Sequence, residues 1–175
     1  MPGNATEILP ETIVAAISKT TIRRAVRGDV GAIVAMLADD PLGSARERIE
    51  DPLPPCYFRA FDRLDADPNV QLVVAQDGEG AQANQGAVIG CLQLCILPGL
   101  SSQGASRGII EDVRVAARCR SRGIGEQLVQ WAITEARARD CKLLELFTHH
   151  SRVDAQRFYA RLGFQASHVG MTLRF

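Results

Sequence analysis

Residues 113–126 read VRVAARCRSRGIGE and lie about two-thirds of the way along the chain. A short β-branched stretch runs into a basic loop, and two glycines, Gly123 and Gly125, then open a helical pattern. The start of a helix offers unpaired N–H groups and the positive end of its dipole, and glycine lets the backbone approach phosphate oxygens without a Cβ clash. Charge-assisted hydrogen bonds can come from three neighbouring arginines, Arg118, Arg120 and Arg122. This stretch therefore predicts a phosphate-binding loop between a strand and a helix.

The residues around the two glycines test which known class of phosphate-binding loop this stretch fits. A P-loop has Lys followed by Ser or Thr after its second glycine, where Glu126 stands in this chain. A dinucleotide fingerprint has a third glycine three residues later, where Leu128 stands, and it lies near the start of its α/β unit. Both sites are therefore disfavoured. For an isolated pair of glycines, a tight turn flanked by solvated arginines is the better explanation, so a second motif is needed.

That second motif follows at residues 154–164, which read DAQRFYARLGF. Arg120, Gly123 and Gly125 fit the pattern R-x-x-G-x-G, and the later segment fits A-x-x-F-Y-x-x-L-G-F. With both motifs, a strand-like stretch before the glycines and a long helical pattern after them, the chain resembles the GNAT superfamily of N-acetyltransferases over residues 108–165. The resemblance implies that acetyl-CoA is the cosubstrate and lies in a gap where the fourth strand splays from the fifth.

The resemblance also implies which residues hold acetyl-CoA. Backbone groups of Val113 and Val115 would hold the pantetheine arm as an added strand does, and the N–H groups of the glycine loop would hold the pyrophosphate. The predicted cofactor-binding set is Val113, Val115, Arg118, Arg120, Ser121, Arg122, Gly123, Ile124, Gly125, Glu126 and Phe158. Arg152 departs from the pattern, because many members carry there an asparagine that contacts the cofactor. Either that contact is lost or Arg152 reaches a CoA phosphate.

Direct acetyl transfer from sulfur to an amine needs a base for the amine and a proton donor for the leaving thiolate. Glu111 is the predicted base, because regular strand alternation places it on the same face as Val113 and Val115. The same alternation places Asp112 on the opposite face. An ion pair with Arg114 is the alternative role of Glu111.

Tyr159 is the predicted acid, since it resembles the tyrosine that donates to the CoA sulfur in many members. An ordinary tyrosine pKa of about 10 keeps its hydroxyl protonated at neutral pH, while packing beside Phe158 is the alternative role. His149 and His150 follow the fifth strand near the same cleft, where a polar strand end is a simpler interpretation than a proton relay. No metal site is predicted, because no third ligand lies at a useful spacing.

Hydrophobic periodicity and turn residues predict a single-domain α/β fold with a mixed sheet. The resemblance to the GNAT superfamily implies that this sheet is mostly antiparallel and flanked by helices. Strands are predicted at residues 21–26, 70–75, 87–97, 108–115 and 143–148. Helices are predicted at 30–38, within 43–67, at 123–139 and at 154–162, with final short strands at 164–168 and 171–175. Residues 1–20 are predicted as an N-terminal extension or helix, and residues 21–175 as the N-acetyltransferase domain with splayed fourth and fifth strands.

The composition limits partners and location. Of the 175 residues, 46% are hydrophobic and 23% are charged, with zero formal net charge, which suits one globular domain and predicts neither a nucleic-acid nor a membrane partner. Residues 108–175 carry 11 Lys+Arg against 7 Asp+Glu, so an anionic ligand is expected on this half. Five cysteines without a CxxC pair, no signal-peptide pattern and no long apolar run favour a reducing cytoplasm.

The sequence leaves the acceptor amine open. Acidic residues within 30–65, among them Asp39 and Asp40, suit an amine-bearing small molecule or peptide, although surface solvation explains them as well. Two other functions remain to be separated from an acetyltransferase. One is a non-catalytic CoA-binding regulatory module, which would not need Glu111 or Tyr159, and the other is a different nucleotide-binding domain. The sequence does not decide between a monomer and a homodimer.

Overall fold

The computed structural model describes residues 20–40, 43–78 and 86–173 of the chain. The strands in these ranges are β1 (Thr20–Arg24), β2 (Val70–Asp77), β3 (Val88–Leu97), β4 (Ser106–Val115) and β5 (Cys141–Leu146). The helices are α1 (Val30–Ala38), α2 (Pro55–Ala66), the four-residue turn α3 (Ser101–Gly104), α4 (Ile124–Ala138) and α5 (Val153–Arg161). None of these helices is long and apolar enough to cross a membrane.

The five strands form one sheet in the order β1-β2-β3-β4-β5. The first four are antiparallel neighbours, while β4 and β5 are parallel. In the described chain, pairing between β4 and β5 runs from Ser106–Cys141 to Ile110–Leu146 and does not extend further along β4. The predicted mixed, mostly antiparallel fold with splayed fourth and fifth strands is therefore confirmed. Within the described residues, the splay leaves one edge of Glu111 to Val115 without a neighbouring strand.

A β-bulge interrupts β4 within this unpaired part. Gln93 pairs with Glu111 and Cys91 pairs with Arg114, so two steps along β3 are matched by three along β4. Asp112 takes up the extra residue with a positive φ of 50°. A bulge of this kind turns the following side chains to the opposite face of the sheet.

Two hydrophobic cores cover the two faces of the sheet. The first core lies under α4 and includes Ile89, Leu92, Leu94, Ile110, Leu128, Val129 and Ala132. The second core lies under α1 and α2 and includes Ile33, Val34, Phe61, Val74 and Cys91. From Cys91 to Ile96, alternate residues of β3 face opposite cores, so a β4 residue that pairs with this part of β3 can be assigned to a face from its partner.

Most predicted elements are present, with shifted ends. The structure gives α1 the predicted bounds, and α4 is one residue shorter at each end than predicted. The predicted first strand ends at Arg24, two residues early, because the chain turns into a 3-10 helix at Arg27–Asp29. Between the predicted strands at 87–97 and 108–115 the structure contains α3, and β4 begins at Ser106, two residues earlier than predicted. Residues 1–19 lie outside the described residues, so the predicted extension and domain boundary stay predictions.

The final two strands were wrongly predicted. Residues 164–173 contain no strand, while residues 174 and 175 lie outside the described chain. The backbone makes a tight turn at Ser167, whose N–H donates to the Gln165 carbonyl at 2.9 Å. A local turn replaces the ladder hydrogen bonds that a strand would need, although the apolar alternation is strand-like.

Candidate active site

The loop between β4 and α4 forms a cradle of backbone N–H groups. After a 3-10 turn at Ala117–Cys119, Ser121 and Gly123 take positive φ angles of 62° and 78°, and α4 begins at Ile124. No described residue accepts a hydrogen bond from the backbone N–H of Ser121 or of any residue onward to Glu126. The cradle therefore presents six unpaired donors at the positive end of a 15-residue helix. Such an end binds phosphate groups well.

The arginines of the loop make exposed contacts beside the cradle. Arg120 donates from Nη2 to Asp39 Oδ2 at 3.0 Å, and both side chains are more than half exposed, at 57% and 54%. Arg122 Nη1 lies 3.6 Å from the sulfur of Cys119, and Arg118 is exposed. Exposed ion pairs contribute roughly 0–1 kcal/mol. An anion in the cradle can therefore draw Arg120 away from Asp39 at small cost.

Close packing joins the glycine loop to the second motif. A Cβ added to Gly125 would lie 3.6 Å from Cζ of Phe158 and 3.7 Å from Cγ2 of Val115. The first turn of α4 thus touches both α5 and the end of β4. The structure therefore brings together three of the predicted cofactor-binding residues.

Arginine side chains hydrogen-bond the free edge of β4. The Val113 carbonyl accepts from Arg114 Nη1 at 2.9 Å, and the Val115 carbonyl accepts from Arg120 Nε at 3.4 Å. The side chains of Val113 and Val115 pack against the first core. The two valines that were predicted to hold the pantetheine arm therefore offer backbone groups that β5 does not pair.

The face assigned to Glu111 was wrong. Glu111 pairs with Gln93, whose Nε2 donates to Glu111 Oε2 at 3.1 Å. Gln93 lies between Leu92 and Leu94 of the first core, so Gln93 and Glu111 point to the side of α1 and α2. Val113 and Val115 point to the other side, because the bulge at Asp112 breaks the alternation. Glu111 is exposed, and its role as a base stays a prediction.

Tyr159 lies against the first core, with its ring in edge contact with Phe158 and Phe164 at centroid distances of 5.0 and 5.8 Å. Burial raises the pKa of the hydroxyl, and the nearby charges of Arg114 and Arg152 act in the opposite direction. A raised pKa keeps the hydroxyl protonated at neutral pH. No described residue is hydrogen-bonded to it. The geometry fits both predicted alternatives for Tyr159, a proton donor and a packing aromatic.

A charged cluster beside Tyr159 was not predicted from the sequence. Oδ2 of Asp40 accepts from Nη2 of Arg114 at 3.5 Å and also from Nη2 of Arg152. The Asp40 side chain is only 11% exposed, and those of Arg114 and Arg152 are 19% and 33% exposed. Arg114 therefore pairs with Asp40 and not with Glu111. The sequence singled out Arg152 and Asp40 separately, and gave no signal that they and Arg114 meet.

The two histidines predicted near the cleft lie at an exposed position. Nδ1 of His149 lies 2.7 Å from the Ser151 hydroxyl, and the His149 and His150 rings lie 4.2 Å apart at an exposed strand end. Cys119 is buried within the basic loop. In the described chain, no group of three or more His, Cys, Asp or Glu is placed to hold a metal ion.

Comparison with known proteins identifies the class that this fold and loop define. The model of the acetyltransferase (GNAT) family matches residues 31–164, and the chain belongs to that family. The resemblance seen in the two sequence motifs is thereby confirmed.

Three relatives give further comparisons. Aminoalkylphosphonate N-acetyltransferase of Salmonella typhimurium is 43% identical over 65 residues, which are 37% of this chain and 42% of that protein. The match thus spans less than half the length of this relative. A transcriptional regulator from Bacillus halodurans C-125 is 46% identical, with a TM-score of 0.82 over 90% of this chain and 100% of that one. A putative acetyltransferase from Agrobacterium tumefaciens, 22% identical, shares the fold with a TM-score of 0.74 over 89% and 99% of the two chains.

Proposed function

We propose that this protein transfers an acetyl group from acetyl-CoA to a primary amine of a small molecule or peptide by direct attack. The observation that carries the proposal is the cradle of unpaired N–H groups from Ser121 to Glu126, which lies next to the free edge of β4. Tyr159 is partly buried against the first core, on which Val113 and Val115 of that edge also pack. Family membership supports the same activity.

The residues present fit acetyl-CoA. The cradle would take the pyrophosphate, with Arg118, Arg120 and Arg122 as its cationic neighbours, and the backbone of Val113 and Val115 would take the pantetheine arm. Phe158 closes the site against Gly125. When bound, acetyl-CoA supplies a thioester carbonyl as the electrophile.

The side chains of the site then move the protons. An attacking amine must be neutral, so Glu111 takes its proton, directly or through water. The amine nitrogen forms a bond to the carbonyl carbon as the carbon–sulfur bond breaks, and the sulfur leaves with the electron pair. Tyr159 donates its proton to that sulfur, because burial keeps the hydroxyl protonated. The products are an acetylated amine and CoA.

A regulatory role is the second candidate, and one comparison favours it. The relative with 46% identity is described as a transcriptional regulator. A regulatory module would bind CoA in the same cradle without transferring the acetyl group. The two candidates therefore share the cofactor site and differ in turnover.

Two measurements test the proposal. Thermal stability is measured with acetyl-CoA, CoA, NAD and ATP, and stabilisation by NAD or ATP without CoA would contradict both candidates. Release of free thiol is then measured with acetyl-CoA and a panel of primary amines. Turnover supports the enzyme, whereas CoA binding without turnover on any amine supports the regulatory module.

A matched pair of variants tests the base. Glu111→Gln is expected to lower kcat by roughly 100-fold or more, which is the usual contribution of a general base. Glu145→Gln is the control, because Glu145 lies on β5, 3.6 Å from Arg107, where β4 and β5 still pair. Equal activity of the two variants across pH 6 to 9 would remove Glu111 from the mechanism.

A further inference from the structure

Arg114 and Arg152 extend from different segments to the same carboxylate oxygen. Arg114 belongs to β4, past the last residue that pairs with β5, and Arg152 precedes α5. Both guanidinium groups contact Oδ2 of Asp40 at the end of α1. The charges of both arginines also act on the pKa of Tyr159, so the cluster lies beside the proposed proton donor.

The guanidinium groups of Arg114 and Arg152 have more N–H donors than their contacts with Asp40 occupy. Nε of Arg114 is buried and has no hydrogen-bond partner among the described residues, and its Nη2 lies 3.5 Å from Asp40, at the limit of a hydrogen bond. Among the ion pairs of the described residues, two guanidinium groups share the one carboxylate of Asp40, so these three half-buried or buried groups together carry one positive charge. Such a surplus favours an additional anionic group, since charge-assisted hydrogen bonds from arginine to an acid are among the strong ones.

The position on β4 places this surplus on the acceptor's side. Arg114 pairs with Cys91 of the second core, so it points to the same face as Glu111, towards α1 and α2. Val113 and Val115, predicted to serve the cofactor, point to the other face. Arg114 is three positions after Glu111, so their Cα atoms lie at most about 10 Å apart. Two side chains on one face at this Cα separation suit an acceptor whose amine and acid group are joined by a short carbon chain.

We infer that the acceptor is a short amine that also carries an acid group, and that Arg114 and Arg152 bind that acid group while the amine lies at Glu111. The acid is a carboxylate, a phosphonate or a phosphate, all of which accept hydrogen bonds from guanidinium groups. This inference rests on the proposed acetyltransferase activity. It assigns Arg152 to the acceptor and not to the cofactor.

Acceptors of matched length test the inference on the unmodified protein. Acetyl transfer from acetyl-CoA is compared for 2-aminoethylphosphonate, β-alanine and the neutral amines ethanolamine and propylamine. We expect kcat/KM for at least one acidic acceptor to exceed that for the neutral amines by roughly 10- to 100-fold. Loss of a charged hydrogen-bond partner usually has an effect of this size. A preference for either acid supports the inference, and the order of the two identifies the acid group.

The failures of the two proposals differ in this assay. If no amine is acetylated, the acetyltransferase proposal itself fails. If neutral and acidic amines are acetylated equally well, the activity stands and the acid-binding role of the arginines is overturned.

A second experiment uses variants of Arg152, which precedes α5, and of Arg157 within that helix. Arg152→Gln is expected to raise KM for the acidic acceptor by roughly 10-fold or more, with little change in the neutral acceptors or in KM for acetyl-CoA. Arg152→Lys should recover part of the loss, because it keeps the charge without the planar fork. Arg157→Gln is the matched control, since Arg157 is 72% exposed and pairs only weakly with Asp154 at 3.4 Å.

An effect of Arg152→Gln on KM for acetyl-CoA alone would overturn the inference and assign Arg152 to the cofactor. A variant that fails to fold is separated by its melting temperature. In that case, competitive inhibition of the unmodified protein by ethylphosphonate against the acceptor decides. Competition against acetyl-CoA alone, or no inhibition at all, would contradict the inference.

Discussion

Gly123 allows a sharp test of the cradle, because a side chain there conflicts with the backbone and with nothing else. Its φ is +78°, and a Cβ built at this position meets no atom within 4 Å. Alanine in the left-handed region costs roughly 1–2 kcal/mol. Gly123→Ala should therefore lower the free energy of unfolding by that amount, a decrease in Tm of about 2–8 °C for a chain of this size.

Gly31→Ala is the matched control. Gly31 lies in the first turn of α1, also with no atom within 4 Å of a built Cβ, but its φ is not positive. Alanine there should stabilise the protein by roughly 0.4–1 kcal/mol, since it restricts the unfolded chain and favours the helix. Gly123→Asn should lie between the two, because asparagine tolerates the left-handed conformation better than alanine. Replacing glycine by alanine is thus expected to change the free energy of unfolding in opposite directions at two positions where the added Cβ meets no other atom.

Urea unfolding and calorimetric CoA binding measure both parts of the cost. If the loop keeps its conformation, the full penalty appears in the free energy of unfolding. If the loop relaxes in the free protein, the penalty appears on binding, as a rise of up to roughly 5- to 30-fold in Kd for CoA. Should Gly123→Ala match Gly31→Ala in stability and leave Kd unchanged, the left-handed turn would not be required by the cradle.

Three further predictions concern other parts of the molecule. Burial raises the pKa of Asp29, but hydrogen bonds from Arg23 and the Val26 N–H outweigh this effect and lower the pKa below 3.8. The ionised Asp29 therefore stabilises the folded protein above about pH 4, and this stabilisation is lost as the pH falls through the folded-state pKa. Asp29→Asn should accordingly weaken the loss of stability at acid pH that urea unfolding measures. Leu128→Ala, at a side chain with 0% exposure, should cost about 2–5 kcal/mol by urea unfolding, against less than about 0.5 kcal/mol for the exposed Gln130→Ala. Tyr159→Phe keeps the ring contacts, so kcat should fall by roughly 100-fold or more with little change in Tm, and an unchanged kcat would exclude Tyr159 as the acid.

The sequence predicts local features of this protein better than features that depend on pairing. Asp29 and Asp39 flank α1 at its predicted bounds, and the two motifs identify the loop and the family. The bulge at Asp112 was missed, because the extra residue exists only relative to β3. The last strands were wrongly predicted for the same reason. Apolar alternation at 164–168 indicates a tendency to form a strand, but it does not show whether another strand is available to pair with it.

The cluster around Asp40 was missed because its members are far apart in the chain and meet only when β4 leaves β5. Nothing in the sequence indicates that residues 40, 114 and 152 share one oxygen atom. Arg152 was recognised as a departure from the family pattern, and its two predicted roles both concerned the cofactor. The structure adds Asp40 as the partner of Arg152, and this contact supports the proposed role of Arg152 in binding the acceptor.

The two aspartates at the end of α1 are explained by these arginines and not by the helix. Acidic residues at a helix C-terminus oppose its dipole and usually cost a few tenths of a kcal/mol or more. Asp39 nevertheless holds Arg120 of the cradle, and Asp40 holds Arg114 and Arg152. One short acidic pair therefore neutralises part of the positive charge of both proposed anion sites in the free protein. Removing Asp40 would leave two guanidinium groups close together in a half-buried site, where like charges repel strongly.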